Sequence, residues 1–241
     1  MQDTKNLSTL VHSRRSVRKY DAAAQFVHND VQKALELALL SPNSSNMQLW
    51  KFHRVISDDI RSCIADYCMG QNAAKTANEL VVVTVTPQHW QSRAQMNAAQ
   101  VRAAFEGRDD ATAKRAMHYY DKLIPVLYNN DKWGVRGLLR QCYSWWVGRN
   151  KPMVREVSKA DLRVCLHKST SLASMTFMLA MQDMGYDTCP MEGFDSKRIK
   201  AKLGLENKEE ITMVISCGVR AEDGIYSERH RVDAEQVITR Y

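Results

Sequence analysis

One long helix is written between Ser158 and Gly185, and it limits most what this chain can become. Ser158 and Asp161 stand at capping-box spacing, with Asp in place of the usual Glu. From Lys159 to about Met184 the segment would run about 39 Å at 1.5 Å per residue. Its later two-thirds is rich in Leu, Met, Ala and Ser and poor in charge. A helix apolar nearly all round is buried on several sides. Burial against a second subunit is a natural way to achieve that.

Other segments read in order around this helix. Residues 1–13 predict a short helix with Leu7, Leu10 and Val11 on one side. Val31, Ala34, Leu35, Ala38 and Leu39 recur at helical spacing, with Asn29 or Asp30 as the expected cap. Ser41-Pro42 stops that helix, because proline disfavours helix at the residue before it. A polar run from Asn43 to Gln48 leads into an expected strand, Trp50 to Ile56, and residues 59–69 read as helical. Leu80 to Val85 is a β-branched run that reads as a fully buried central strand, and Ile211 to Val219 as a second core strand. Cys189 to Asp195 reads as a loop, with Asp195 capping a short helix that Gly204 closes. The middle, about 91–157, is helical in composition and holds most of the large aromatics, so it is expected to be mobile and to set specificity. With no repeat and no Gly/Ser linker, residues 1–241 read as a single α+β domain with a variable helical insertion around 91–157.

Composition narrows the class. Hydrophobic residues make up 44% and charged residues 25%, as expected of a chain that buries a real core. No apolar run is long enough to span a bilayer, and Met1 to Val11 lacks the apolar core of a secretory signal, so the expected location is cytoplasmic. The six cysteines stand at no zinc-ligand spacing, and no metal site is expected. The net charge of +7 could attract nucleic acid, a membrane surface or a small anion. It is spread along the chain, with local concentrations at Arg14 to Lys19 and Arg229 to Arg231.

Those concentrations carry the chemistry. Arg14, Ser16 and Arg18 alternate, so in an extended segment they face one side, with Arg15 and Lys19 on the other. Guanidinium forks bind phosphate bidentately, and a hydroxyl adds a neutral donor. Arg229 and Arg231 repeat the spacing near the other end. The plainer alternative for both is a solvated basic stretch. Ser44, Ser45, Asn46 and Gln48 form either an ordinary polar turn or a set of donors to a ligand. Pro190, Glu192 and Gly193 follow the long helix, where glycine admits close backbone approach; a plain turn is the alternative. Asn72 and Lys75 precede the central strand, again readable as a solvated helix end. Neither a glycine-rich dinucleotide motif nor a P-loop is present.

Taken in order, four elements resemble the nitroreductase family of FMN-dependent oxidoreductases. They are Arg14-x-Ser16-x-Arg18, the run Asn43 to Trp50, the loop Pro190 to Asp195, and the pair Arg229 and Arg231. Asn43 and Leu49 stand where that family's serine-rich element carries prolines. The resemblance implies an α+β fold with a central, mostly antiparallel sheet flanked by helices. It implies an intertwined homodimer whose C-terminal extension wraps the partner. It implies FMN as cofactor and NADH or NADPH as electron donor. Hydride would pass by a ping-pong mechanism to a nitroaromatic, quinone or similar small electron-poor acceptor. Arg14, Arg15, Ser16, Arg229 and Arg231 would form the cluster around the flavin phosphate and ribityl chain. Arg18, Asn72 and Lys75 would face the pyrimidine side. Glu192 and Gly193, entered through Pro190, would bring backbone donors near the ring, Ser44, Ser45 and Asn46 would arrive from the other subunit, and Gln48 would join them as a cofactor-binding residue. No side-chain nucleophile is implied. The rival readings are a non-catalytic flavin-storage protein, a flavin enzyme of different chemistry such as dehalogenation or flavin breakdown, and a basic nucleic-acid-binding module. The last is disfavoured because no aromatics interleave with the basic run.

Overall fold

The run Leu80 to Val85 lies at the centre of the protein. In a computed structural model describing residues 6–241 it forms strand β2 (Glu79–Val85), buried along its whole length. The other strands are β1 (Trp50–Val55), β3 (Asp187–Met191) and β4 (Glu210–Gly218). They pair in the order β1-β2-β4-β3, every neighbour antiparallel. Between β2 and β4 the register slips after Val83↔Met213 to Thr84↔Ile211, which leaves Thr212 as the bulged residue.

Side-chain alternation on β2 divides the core into two layers. Leu80 and Val82 pack with Val17, Tyr20, Ile64 and Ile199. That side is covered by α3 (Asp58–Tyr67), α4 (Asn72–Lys75) and α10 (Ser196–Leu203). Val81 and Val83 pack with Val31, Leu35, Phe177 and Met181. Those residues come from α2 (His28–Ala38) and from the long helix α9 (Lys159–Asp183). The first helix, α1 (Leu7–Ser13), is capped by Asn6; the first five residues of the expected N-terminal helix lie outside the described residues.

The capping box at Ser158 and Asp161 forms as expected, and Gly204 closes α10 in the left-handed conformation. In the single chain α9 buries one face, including Phe177 and Met181, while Leu172 is 50% exposed. Two local expectations are corrected. α2 starts at His28 with no side-chain cap. Asp30 lies inside its first turn and pairs with Lys33 at 2.8 Å, while its other oxygen accepts from the Tyr186 hydroxyl. The expected loop from Cys189 is partly strand, since β3 runs to Met191 in register with β4. Pro190 is tolerated there because β3 is an edge strand, where a missing N–H costs no ladder bond.

The middle segment forms α5 (Trp90–Ala104), α6 (Ala111–His118), a π-helical turn (Tyr119–Leu123), α7 (Ile124–Tyr128) and α8 (Val135–Val147). Met47, Leu49, Val85, Ala94, Ile124 and Leu166 form a third core that attaches it to the sheet. The last helix, α11 (Ala234–Val237), is exposed.

Two buried carboxylates were not anticipated. Glu79 is fully buried, and Arg54 reaches it through Nε at 2.6 Å and Nη2 at 3.0 Å, with His28 Nδ1 at 2.7 Å. Glu209, also fully buried, accepts from Thr84 Oγ1 at 2.6 Å and meets His53 Nε2 at 2.5 Å. Burial opposes ionisation of Glu209, but the hydrogen bonds from Thr84 and His53 prevail and hold its carboxyl below the usual range. A depressed folded-state value makes a contribution to stability that is present above the unfolded value. That contribution is lost as pH falls through the folded one. The urea midpoint should therefore drop on acidification below about pH 4.5, and Glu209→Gln should lessen the drop. An equal drop in both proteins would remove Glu209 as the cause.

Candidate functional site

The basic segment is held by the residues between its charges. Val17 and Tyr20 are buried, and the Tyr20 hydroxyl donates to the Ser216 carbonyl at 3.0 Å. Ser16 bridges Thr188 in parallel, so the segment lies along the free edge of β3. The Arg18 amide then donates to the Gly224 carbonyl at 2.7 Å. Gly224 is required for that approach, since a Cβ there would sit 2.5 Å from the Lys19 carbonyl oxygen. From Gly224 the C-terminal segment runs back over the basic one. Arg229 donates through Nη1 to the Val11 carbonyl at 3.1 Å and through Nη2 to the Arg14 carbonyl. Arg15 donates to the Ser227 carbonyl.

Between the two segments lies a cavity of about 310 Å³, lined by Arg14, Arg15, Ser16 and Arg18 on one side and by residues 225–231 on the other. Five arginines and His230 face it, against one carboxylate, Glu228. Nη1 of Arg14 is buried without a hydrogen-bond partner. Burial first, and then the nearby Arg229 and Arg231, push the Arg14 guanidinium below its ordinary value. A buried donor left unsatisfied among like charges is a site waiting for an anion. Phosphate, with several acceptor oxygens, fits that donor set. The expectation that Arg15 points away is corrected: Arg15 joins the lining and donates to the Ser227 carbonyl of the facing segment. Lys19 does turn away, to Asp223 at 2.7 Å.

Asn72, Lys75, Pro190, Glu192 and Gly193 do not line this cavity, and of them Asn72 bonds to a lining residue. Asn72, at the start of α4, donates to the hydroxyl of Tyr226, a lining residue, at 3.1 Å. Gln71 donates to the Gly193 carbonyl at 3.0 Å and so ties the turn after β3 to α4. Pro190 lies on β3 two residues beyond Thr188, and Glu192 and Gly193 are exposed. Lys75 folds its ammonium over Gly70, 3.2 Å from where a Cβ would stand.

Ser44, Ser45, Asn46 and Gln48 do not line the cavity of their own chain. Ser44–Asn46 is a tight turn between α2 and β1, held against the helical middle segment. Asn97 of α5 donates to the Asn46 carbonyl at 2.8 Å, and the Tyr120 hydroxyl donates to the Ser45 carbonyl at 3.1 Å. Tyr120 belongs to the aromatic-rich middle segment expected to set specificity, whereas Tyr226, Gln71 and Asn97 are not among the residues that the sequence singles out. Only Tyr226 gives a signal, as the one Phe, Trp or Tyr between residues 221 and 240, three residues before the Arg pair.

The chain was compared with known proteins. A family model described as the Nitroreductase family matches residues 11–219. That span takes in the basic segment and the turn after β3 but ends before Arg229. MhqN of Bacillus subtilis, provisionally named an NAD(P)H nitroreductase, is 24% identical over 209 residues, 87% of this chain and 86% of its own. The oxygen-insensitive NADPH nitroreductase of Helicobacter pylori (strain ATCC 700392 / 26695) is 24% identical over 243 residues, 96% of each chain. Among solved structures, a protein of Exiguobacterium sibiricum, provisionally assigned as a nitroreductase and solved in complex with FMN, superimposes with a TM-score of 0.69. It is 22% identical, and the match covers 100% of this chain and 99% of that one. With the family model matching residues 11–219, most of the chain, this chain belongs to the nitroreductase family.

Proposed function

We propose that this protein is an FMN-dependent NAD(P)H oxidoreductase acting on a small electron-poor acceptor such as a nitroaromatic or quinone, on a single domain that works as a homodimer. The observation that carries this reading is the unpartnered, buried Nη1 of Arg14 in a cavity of five arginines. Bound there, FMN would supply hydride transfer between the nicotinamide and the acceptor, which would take turns at one site as in a ping-pong mechanism. The chain's own residues bind and orient. Arg14, Arg15, Ser16, Arg229 and Arg231 hold the phosphate end. Arg18, Asn72 and Lys75 supply positive charge and donors toward the pyrimidine edge, where preplaced cations stabilise negative charge. Pro190 fixes the path of the turn that presents the backbone of Glu192 and Gly193.

The homodimer is supported by two observations. The serine turn does not line its own chain's cavity and is free to serve another's. Apolar side chains also remain exposed on α9, at Leu172 and Met175, and on the C-terminal segment, at Val237 and Ile238.

An absorbance spectrum of the purified protein with added FMN, followed by anaerobic titration with NADH and with NADPH, tests the reading. A bound flavin that bleaches with either nicotinamide is expected. A protein that gains no flavin absorbance refutes the assignment, and one that stays yellow with both donors is a flavin carrier instead.

Gly193→Val separates folding from binding. A Cβ at Gly193 meets only Gln71 Nε2, at 3.5 Å, an ordinary contact. The variant should melt like the parent yet fail to take up flavin. A Gly193→Val protein that purifies yellow would displace this turn from the site.

A further inference from the structure

The turn Ser44–Asn46 has a backbone that its side chains do not favour. Ser45, Asn46 and Gln48 adopt positive φ values of 55°, 49° and 47°, and none is glycine. Such conformations cost on the order of 1 kcal/mol or more each and persist only where the surroundings impose them. The surroundings here are specific. Tyr119 and Ser45 share a hydrogen bond between hydroxyls at 2.6 Å. Tyr120 donates to the Ser45 carbonyl at 3.1 Å, and Asn97 takes the Asn46 carbonyl at 2.8 Å. Asn43 Oδ1 accepts from the Gln48 amide at 2.8 Å.

Tyr119 and Tyr120 are adjacent, yet both grip one residue. They open the π-helical turn Tyr119–Leu123, and their rings meet edge to face at 5.2 Å. π-helical turns are rare and concentrate at functional sites. Their rings also pack on the third core with Met47 and Leu49, which flank the turn. Removal of a hydroxyl therefore leaves the packing in place. Burial pushes the Tyr120 hydroxyl further above its ordinary value, at which a tyrosine is already a donor at neutral pH.

We propose, on the flavin reading above, that Tyr119 and Tyr120 are positioning residues whose hydroxyls hold Ser45, and through it the serine turn, in the one conformation that receives the cofactor. The helical middle segment then sets flavin affinity through the serine turn.

The test compares the wild-type protein with Tyr119→Phe, Tyr120→Phe, Ser45→Ala and the Tyr119→Phe/Ser45→Ala double variant. FMN titration by fluorescence quenching is read alongside the absorbance of the bound flavin and hydrogen exchange of the amides of residues 46–48. Tyr119→Phe and Ser45→Ala should each weaken FMN about five- to tenfold, the loss of one hydrogen bond. The double variant should be no weaker than the singles, because both remove the same bond. Exchange at residues 46–48 should quicken in both Tyr→Phe proteins. Wild-type affinity, spectrum and exchange in Tyr119→Phe, or fully additive losses, would overturn the proposal. If the wild-type protein takes up no FMN, the flavin assignment has failed. Exchange then still judges the clamp, and unchanged rates in both Tyr→Phe proteins overturn it.

Discussion

Arg14→Ala should weaken FMN binding roughly 10- to 100-fold while raising the melting temperature of the protein without flavin. The first effect follows from a charge-assisted hydrogen bond worth about 1.5–3 kcal/mol, at a factor of ten per 1.4 kcal/mol. The second follows from the surroundings of Arg14. Its guanidinium is partly buried, faces Arg229 and Arg231, and leaves Nη1 without a partner. Removal relieves both the desolvation and the repulsion in the empty protein. The backbone carbonyl of Arg14, which accepts from Arg229, is untouched by the substitution. Calorimetry with and without FMN gives both numbers from one preparation. Unchanged affinity, or a lower melting temperature without flavin, would show that Arg14 is a structural cation and not an anion receptor.

The largest loss of stability is expected from Arg54→Ala. Glu79 is wholly buried at the start of the central strand, and Arg54 on the neighbouring strand holds both of its oxygens. Breaking a buried pair by removing one partner costs about 3–5 kcal/mol, because the remaining charge is stranded. Lys19→Ala, which breaks the exposed pair with Asp223, should cost under about 1 kcal/mol. The paired replacement Arg54→Met with Glu79→Gln should recover much of the loss. Urea unfolding decides it: the midpoint should fall for Arg54→Ala with little change in slope. A loss no greater than that of Lys19→Ala would mean that water or His28 compensates Glu79.

Legibility in the sequence followed the range of the forces. α9 was readable because its cap and its apolar content are local, and so was β2, whose β-branched run has no other use. β3 was not, since Asp187-Thr188-Cys189-Pro190-Met191 has no strand pattern of its own and is extended only because β4 pairs with it. Glu79 and Glu209 carry no local sign of burial. Their burial depends on Arg54, 25 residues away, and on His53, 156 residues away. At the candidate site, the alternation of Arg14, Ser16 and Arg18 and the spacing of Arg229 and Arg231 could be read directly. Their convergence on one cavity could not, nor could the part played by Arg15, which depends on the distant Ser227 carbonyl. The strain in the serine turn was hidden for the same reason. Nothing local asks Ser45 for a positive φ; the demand comes from Tyr119, Tyr120 and Asn97 on other elements.

The arginine cavity is made by Arg14, Arg15, Ser16 and Arg18 together with residues 225–231, two segments far apart in the sequence. A ribosome makes the first group long before the second. A chain still being synthesised, or one cut short before Arg229, therefore has half a site and no means of holding a phosphate between its halves. On the flavin reading, loading of the cofactor waits until these two distant segments have met.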